Sequence, residues 1–239
     1  MIHSRLHKAD TRGHSSGSWL NSYHTFSFSR YQEADRMNFG ALRVLNDDTV
    51  SAGMGFGTHS HENMEIISIP LSGDLEHKDS MGNSTVIKSG DIQVMSAGSG
   101  VRHSEYNHHK DQVVKFLQIW VIPNQRNTTP RYDQITLNPV DSQNKLQQIL
   151  SPNPDDEGVW IQQDAWFHLG NFDTDMETQY TLKKEGNGVY FFVLSGSFTV
   201  NNQELDARDG FGIWDEKQFV IKSNSEDSKI LIMEVPMKY

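Results

Sequence analysis

The sequence predicts an all-β chain, a double β-barrel with few short helices. Three observations predict it. Short runs rich in Val, Ile and aromatic residues dominate, among them "MEIISIPL", "VVKFLQIWVIP", "VYFFVLSGSFTV" and "KILIMEV", all too short for helices. Turn signals such as "SGD", "SMGN", "VNNQ" and "ARDG" separate them at the rhythm of a sandwich or barrel. The third is a faint internal repeat, in which "LSGDLEHKDSMGNSTVIKSGDIQVM" (Leu71–Met95) parallels "LSGSFTVNNQELDARDGFGIW" (Leu194–Trp214). Each copy leaves an apolar strand through Leu-Ser-Gly, turns, and meets a Gly/Asp corner before the next apolar strand, so two copies of one β-unit make a double barrel.

Taken in order, the strand-like runs fill the chain up to residue 135. "VDSQNKLQQIL" (Val140–Leu150) reads as the one helix, with Asp141 or Ser142 as cap and Leu146, Ile149 and Leu150 on one face. "SPNPDDEG" (Ser151–Gly158) follows as a connector. The expected organisation is a first barrel over 1–135, a helical linker over 136–158 and a second barrel over 159–239.

Composition narrows the functions. The 239 residues contain no cysteine, which excludes disulfides, thiolate metal sites and cysteine nucleophiles. The formal charge of −10 leaves no basic footprint for nucleic acid. The longest apolar runs fall far short of the roughly 20 residues that span a bilayer as a helix, and "MIHSRLHKAD" has no apolar core of a signal peptide. The expectation is a cytoplasmic protein with no membrane or nucleic-acid partner.

Ten of the eleven histidines lie at or before His109. In "GTHSHENMEII", His59 and His61 skip one residue, so on a strand they share a face. In "VRHSEYN", His103 and Glu105 repeat the skip. Neighbouring strands could present all four to one ion. Three imidazoles and a carboxylate suit Fe(II), Mn(II), Ni(II), Cu(II) or Zn(II) and leave coordination positions for a substrate. Glu65 is a competing carboxylate. Offsets carried across the internal repeat land on Leu182, Lys184, Ser223 and Ser225, so only the first half keeps metal chemistry. His24, among aromatics, reads as core or pocket lining, and His108 and His109 as solvated surface. His3, His7, His14, His77 and His168 read as structural or surface. "GSG" at Gly98–Gly100 has no helix behind it and does not read as a phosphate loop.

These residues resemble a known family. Gly53, five residues, His59-x-His61, three residues, Glu65 and then Gly73 fit the first cupin signature. "GDIQVMSAGSGVRHSE" is similar to the second, with Ser96 where cupins usually carry proline. "NSYHTFSFSRY", "GALRVLNDD", "HKDSMGN" and "LQIWVIP" resemble the pirin branch, nearest to the bacterial pirin-like quercetin 2,3-dioxygenases. The resemblance implies a bicupin, two antiparallel β-barrels of jelly-roll type, with metal in the first barrel only, held by His59, His61, His103 and Glu105. It favours Glu105 over Glu65, which becomes a partner orienting a ligand histidine. It further implies iron(II) as the metal, with Zn, Ni, Cu or Mn as alternatives, and oxidative opening of a flavonol with release of carbon monoxide.

The expected reaction takes dioxygen and a small chelating substrate, with Glu105 as general base toward the substrate hydroxyl. Phe26, Phe28, Phe39, Phe56 and Met54 are candidates for an aromatic wall, in competition with a core role. Two other functions remain open at this point. One is a metal-dependent regulatory protein that offers its surface to a protein partner, and the other is a cupin enzyme for another chelating substrate.

Overall fold

The structure, a computed structural model, describes residues 3–239. It is all-β, and each half of the chain pairs a seven-stranded sheet with a four-stranded one. The first large sheet runs, in spatial order, Arg131–Thr136, Asp91–Ser96, Glu65–Ser72, Val114–Val121, Leu42–Val50, Leu20–His24 and Gly13–Ser16. Facing it is a small sheet of Gly55–His61, Val101–Asn107, Leu75–Asp79 and Ser84–Ile87. The second large sheet runs His3–His7, Gly210–Trp214, Asn187–Ser195, Ser228–Pro236, Trp166–Phe172, Leu146–Ser151 and Val159–Trp160. Its small partner is Glu177–Thr181, Gln218–Ser223, Ser197–Val200 and Gln203–Asp206. The sheet orders match strand for strand across the repeat. The barrels, however, are open: each half is two sheets joined through side chains, with no ladder closing the ring among the described residues.

Strand alternation explains where the core sits. In Val114–Val121, Leu117 and Ile119 point one way, while Phe116 and Gln118 point the other. The first set meets Leu45, Ile67 and Val94 of the same sheet and Tyr190, Phe192, Leu231 and Met233 of the second large sheet. The two large sheets thus pack back to back through the largest apolar cluster. Phe116 instead joins Val50, Leu75, Ile87 and Val114 between the large and small sheets of the first half. The corresponding interior of the second half is filled by Tyr180, Phe191, Phe198 and Phe219.

The linker region departs from expectation. Val140–Leu150 is not a helix: Pro139–Ser142 makes one 3-10 turn, and Leu146–Ser151 is a strand paired with Trp166–Phe172. Asn144 has φ 53°, a left-handed conformation that interrupts any helical run. So short a helix would also be marginal alone, whereas the strand gains a full ladder. The strand His3–His7 likewise leaves its own half and pairs with Gly210–Trp214. There, His7 Nδ1 and the Tyr190 hydroxyl lie 2.7 Å apart in the interior. No helix among the described residues is long and apolar enough to cross a membrane.

Ile119 tests the back-to-back packing. Truncating Ile119→Ala should lower unfolding free energy by about 3 kcal/mol, from lost transfer energy plus an unfilled cavity, read from urea denaturation. A loss under about 1 kcal/mol would mean that the two large sheets are not tightly joined there.

Candidate metal centre

The small sheet of the first half brings the histidines together through its register. His103 pairs with His59 on one side and Asp79 on the other, and Glu105 pairs with Phe56 and His77. Between these rungs Gly55–His61 carries one extra residue, a β-bulge. The bulge breaks strict alternation and turns Phe56 to the same face as His59. Glycine is required at position 55, where a Cβ would collide with the Glu105 carbonyl oxygen.

The donor atoms of His59, His61 and His103 lie within 4.8 Å of one another. His59 Nδ1 donates to the Gly57 carbonyl at 2.8 Å, since a carbonyl can only accept; this fixes the tautomer and leaves Nε2 with a free lone pair. That Nε2 stands 3.0 Å from His103 Nε2. Two metal–imidazole bonds of about 2.1 Å meeting at a right angle would separate their donors by about 3.0 Å, so the pair already has the spacing of neighbouring ligands. Burial, reinforced by the adjacent imidazoles, lowers the His61 value to about 4 and the His103 value to about 3. Both rings are therefore neutral at physiological pH, the form that ligates a metal.

Glu105 belongs to a second cluster, with His77 and His103. Its carboxylate crosses the sandwich and accepts from Ser68 Oγ at 3.2 Å and from Gln118 Nε2 at 2.7 Å, one donor to each oxygen. Ser68 and Gln118 belong to a polar row, His24–Asn46–Gln118–Ser68–Gln93, formed by successive cross-strand pairs of the large sheet. His77 donates through Nε2 to Asp79 Oδ2 at 3.0 Å, and its Nδ1 is buried without a partner among the described residues, as is His103 Nδ1. Desolvation raises the Asp79 carboxyl, but hydrogen bonds from Asn83, His77 and Met81 outweigh it and hold the value below the usual range.

A cavity of about 490 Å³ opens beside His59, His61 and Glu105. Trp19, Phe28, Phe56 and Trp120 supply apolar walls, while Ser22, His24, Asn46, Asp48 and Gln118 line its polar side. Of the aromatic-wall candidates, Phe28 and Phe56 are here, Phe26 and Phe39 lie in the core between the large sheets, and Met54 is exposed. His24 lines the cavity as expected.

Glu65 does not orient a ligand histidine. Asn63, with φ 51°, sits where the chain leaves one sheet for the other, so the parity linking Glu65 to His59 is lost. Its carboxylate faces the second half and accepts from Ser96 Oγ at 2.7 Å and the Gln162 amide at 3.2 Å. His77, read from sequence as structural or surface, is fully buried within the donor cluster. Its signal was a third one-residue skip, His77-Lys78-Asp79. Ser68, Gln93 and Gln118 were signalled by polar residues interrupting apolar strands, in "IISIP", "DIQVM" and "FLQIW".

Comparison with known proteins places this geometry in context. A family model described as Pirin matches residues 5–121, and one described as Quercetinase C-terminal cupin domain matches residues 148–235. The chain is 40% identical over 231 residues to a quercetin 2,3-dioxygenase of Escherichia coli (strain K12), covering 97% of this chain and 98% of the relative. It is 36% identical over 226 residues to a pirin-like protein of Caulobacter vibrioides, covering 94% and 96%. The crystal structure of the bacterial pirin YhhW from Escherichia coli in complex with nickel(II) superposes with a TM-score of 0.92 at 39% identity, covering 99% of each chain.

Two measurements probe the site. Gln118→Leu removes the closer of the two donors to Glu105 and should weaken metal affinity ten- to a hundredfold, read by competition with a chromophoric chelator; unchanged affinity would mean that Gln118 does not support the centre. Burial pushes the Asp48 carboxyl up to about 7. Stability carried by its protonated form is full below the ordinary value of 3.8 and is lost as the pH rises through about 7. Asp48→Asn removes that loss, so its melting temperature should gain on wild type as the pH rises from about 4 to about 7 and level off above. A pH-independent difference would contradict the shift.

Proposed function

Given that the chain belongs to the pirin family of the cupin superfamily, we propose that it is a metal-dependent dioxygenase opening a flavonol-type ring. In this reading His59, His61, His103 and Glu105 hold one divalent transition ion, iron(II) by preference. The carrying observation is the 3.0 Å approach of His59 Nε2 to His103 Nε2 at the edge of an aromatic-walled cavity. The name quercetin 2,3-dioxygenase, borne by the Escherichia coli relative, supports the same substrate class. Nickel(II) in the Escherichia coli pirin supports a divalent ion at such a centre.

A flavonol offers a 3-hydroxyl beside a 4-carbonyl, two oxygens placed to chelate. The ion, when bound, supplies Lewis acidity toward that chelate and the redox chemistry that dioxygen requires. The protein supplies the rest. Glu105 takes the 3-hydroxyl proton; each of its oxygens accepts one hydrogen bond and keeps a second lone pair. Ser68 and Gln118 hold the carboxylate in place for that transfer. Trp19, Phe28, Phe56 and Trp120 present flat apolar surface to a planar ring and keep water from it.

The test is elemental analysis of the purified protein, with oxygen uptake and carbon monoxide release measured on adding quercetin. About one equivalent of metal and release of carbon monoxide are expected, abolished by chelation and restored by Fe(II). Glu105→Gln should lower turnover by about a hundredfold or more as a lost general base; full activity with metal bound would remove that role. Metal-loaded protein that consumes no oxygen with any chelating phenol would overturn the reading.

A further inference from the structure

The polar side of the cavity contains a carboxyl that the reading above does not use. Asp48 is 2% exposed. Among the described residues its one hydrogen-bond donor is Ser22 Oγ. That bond engages Oδ1 alone, which leaves the carboxyl with further accepting positions. Asp48 lines the cavity, so these positions are open to a donor on a ligand in that space.

Its position follows from the strand ladder. Asn46 pairs with Gln118, which donates to Glu105, and Asp48 pairs with Phe116. Asp48 therefore lies two residues along the strand from the Glu105 row, about 7 Å at the rise of an antiparallel strand. Trp19, Phe28, Phe56 and Trp120 bound the same cavity, which favours a flat ring system. Asn46 Oδ1 is already taken by His24 Nδ1 at 2.8 Å, so its amide is left to donate to a ligand oxygen nearby.

We propose that Asp48 is a specificity-determining residue that accepts a hydrogen bond from a hydroxyl of an aromatic substrate remote from its chelating oxygens. The class selected is thus a polyhydroxylated, planar aromatic chelator rather than any chelating phenol. This rests on the flavonol-type reading of the site and deepens it.

The test uses the full-length, iron-loaded protein with two probes. Quercetin carries hydroxyls beyond the chelating pair, and 3-hydroxyflavone carries the chelating pair alone. For wild type, Asp48→Leu and Asp48→Asn, the measurements are kcat/KM and the dissociation constant from the absorbance shift of the chelated flavonol. Measured at about pH 8.5, above the value near 7 to which burial raises the Asp48 carboxyl, loss of a hydrogen bond to the charged acceptor should reduce kcat/KM and affinity for quercetin roughly ten- to a hundredfold in Asp48→Leu. The value for 3-hydroxyflavone should stay within about twofold, since it makes no such bond. Asp48→Asn keeps an acceptor oxygen and should fall between, and it alone decides if Asp48→Leu does not fold. Equal losses for both probes, or no loss for quercetin, overturn the proposal. Wild type that binds both but opens neither sinks the ring-opening reading, and the ratio of binding constants still decides Asp48. Wild type that binds neither sinks both.

Discussion

The carboxylate of Glu105 crosses the first sandwich from the small sheet to the large one, taking a hydrogen bond from Ser68 and another from Gln118. The architecture of the site depends on that crossing. A buried carboxylate is costly unless its oxygens are met, and here the donors come from the sheet opposite. The same contact that satisfies Glu105 therefore sets the spacing of the two sheets where the imidazoles converge. His103, two residues before it on the same strand, is fixed at the same time, and His59 follows through its pairing with His103.

Around this crossing the first half departs from the rules of an apolar sandwich. Polar residues run along one level of the large sheet from His24 to Gln93, where the equivalent interior of the second half is aromatic. The two halves share sheet order but not contents. One encloses donors and a cavity, while the other is filled by Phe191, Phe198 and Phe219. The second half also contributes through the back-to-back packing of the large sheets. That contact gives the large sheet under the site a rigid support, since both of its faces are then packed.

Much of the site was legible because strand geometry has period two. His59 with His61, and His103 with Glu105, each announce a shared face without any knowledge of the fold. His77 with Asp79 carries the same signal in "HKD", but nothing in the sequence says that its strand lies next to Val101–Asn107. Glu65 shows the opposite failure. Parity counted through Asn63 crosses a change of sheet, and beyond it the count has no meaning.

By itself the sequence determined the all-β class, the duplicated unit, the absence of thiol chemistry and the two donor doublets, because each follows from composition or from local periodicity. The tertiary structure decided that the sheets stay open, that Leu146–Ser151 is a strand, that His3–His7 crosses to the second half, and that Phe56 turns inward at a bulge. It also decided which polar side chains meet Glu105. Those outcomes depend on pairing between segments far apart in the chain, and the free energy of such pairing depends on the partner strand and on burial, neither of which a local window of residues contains.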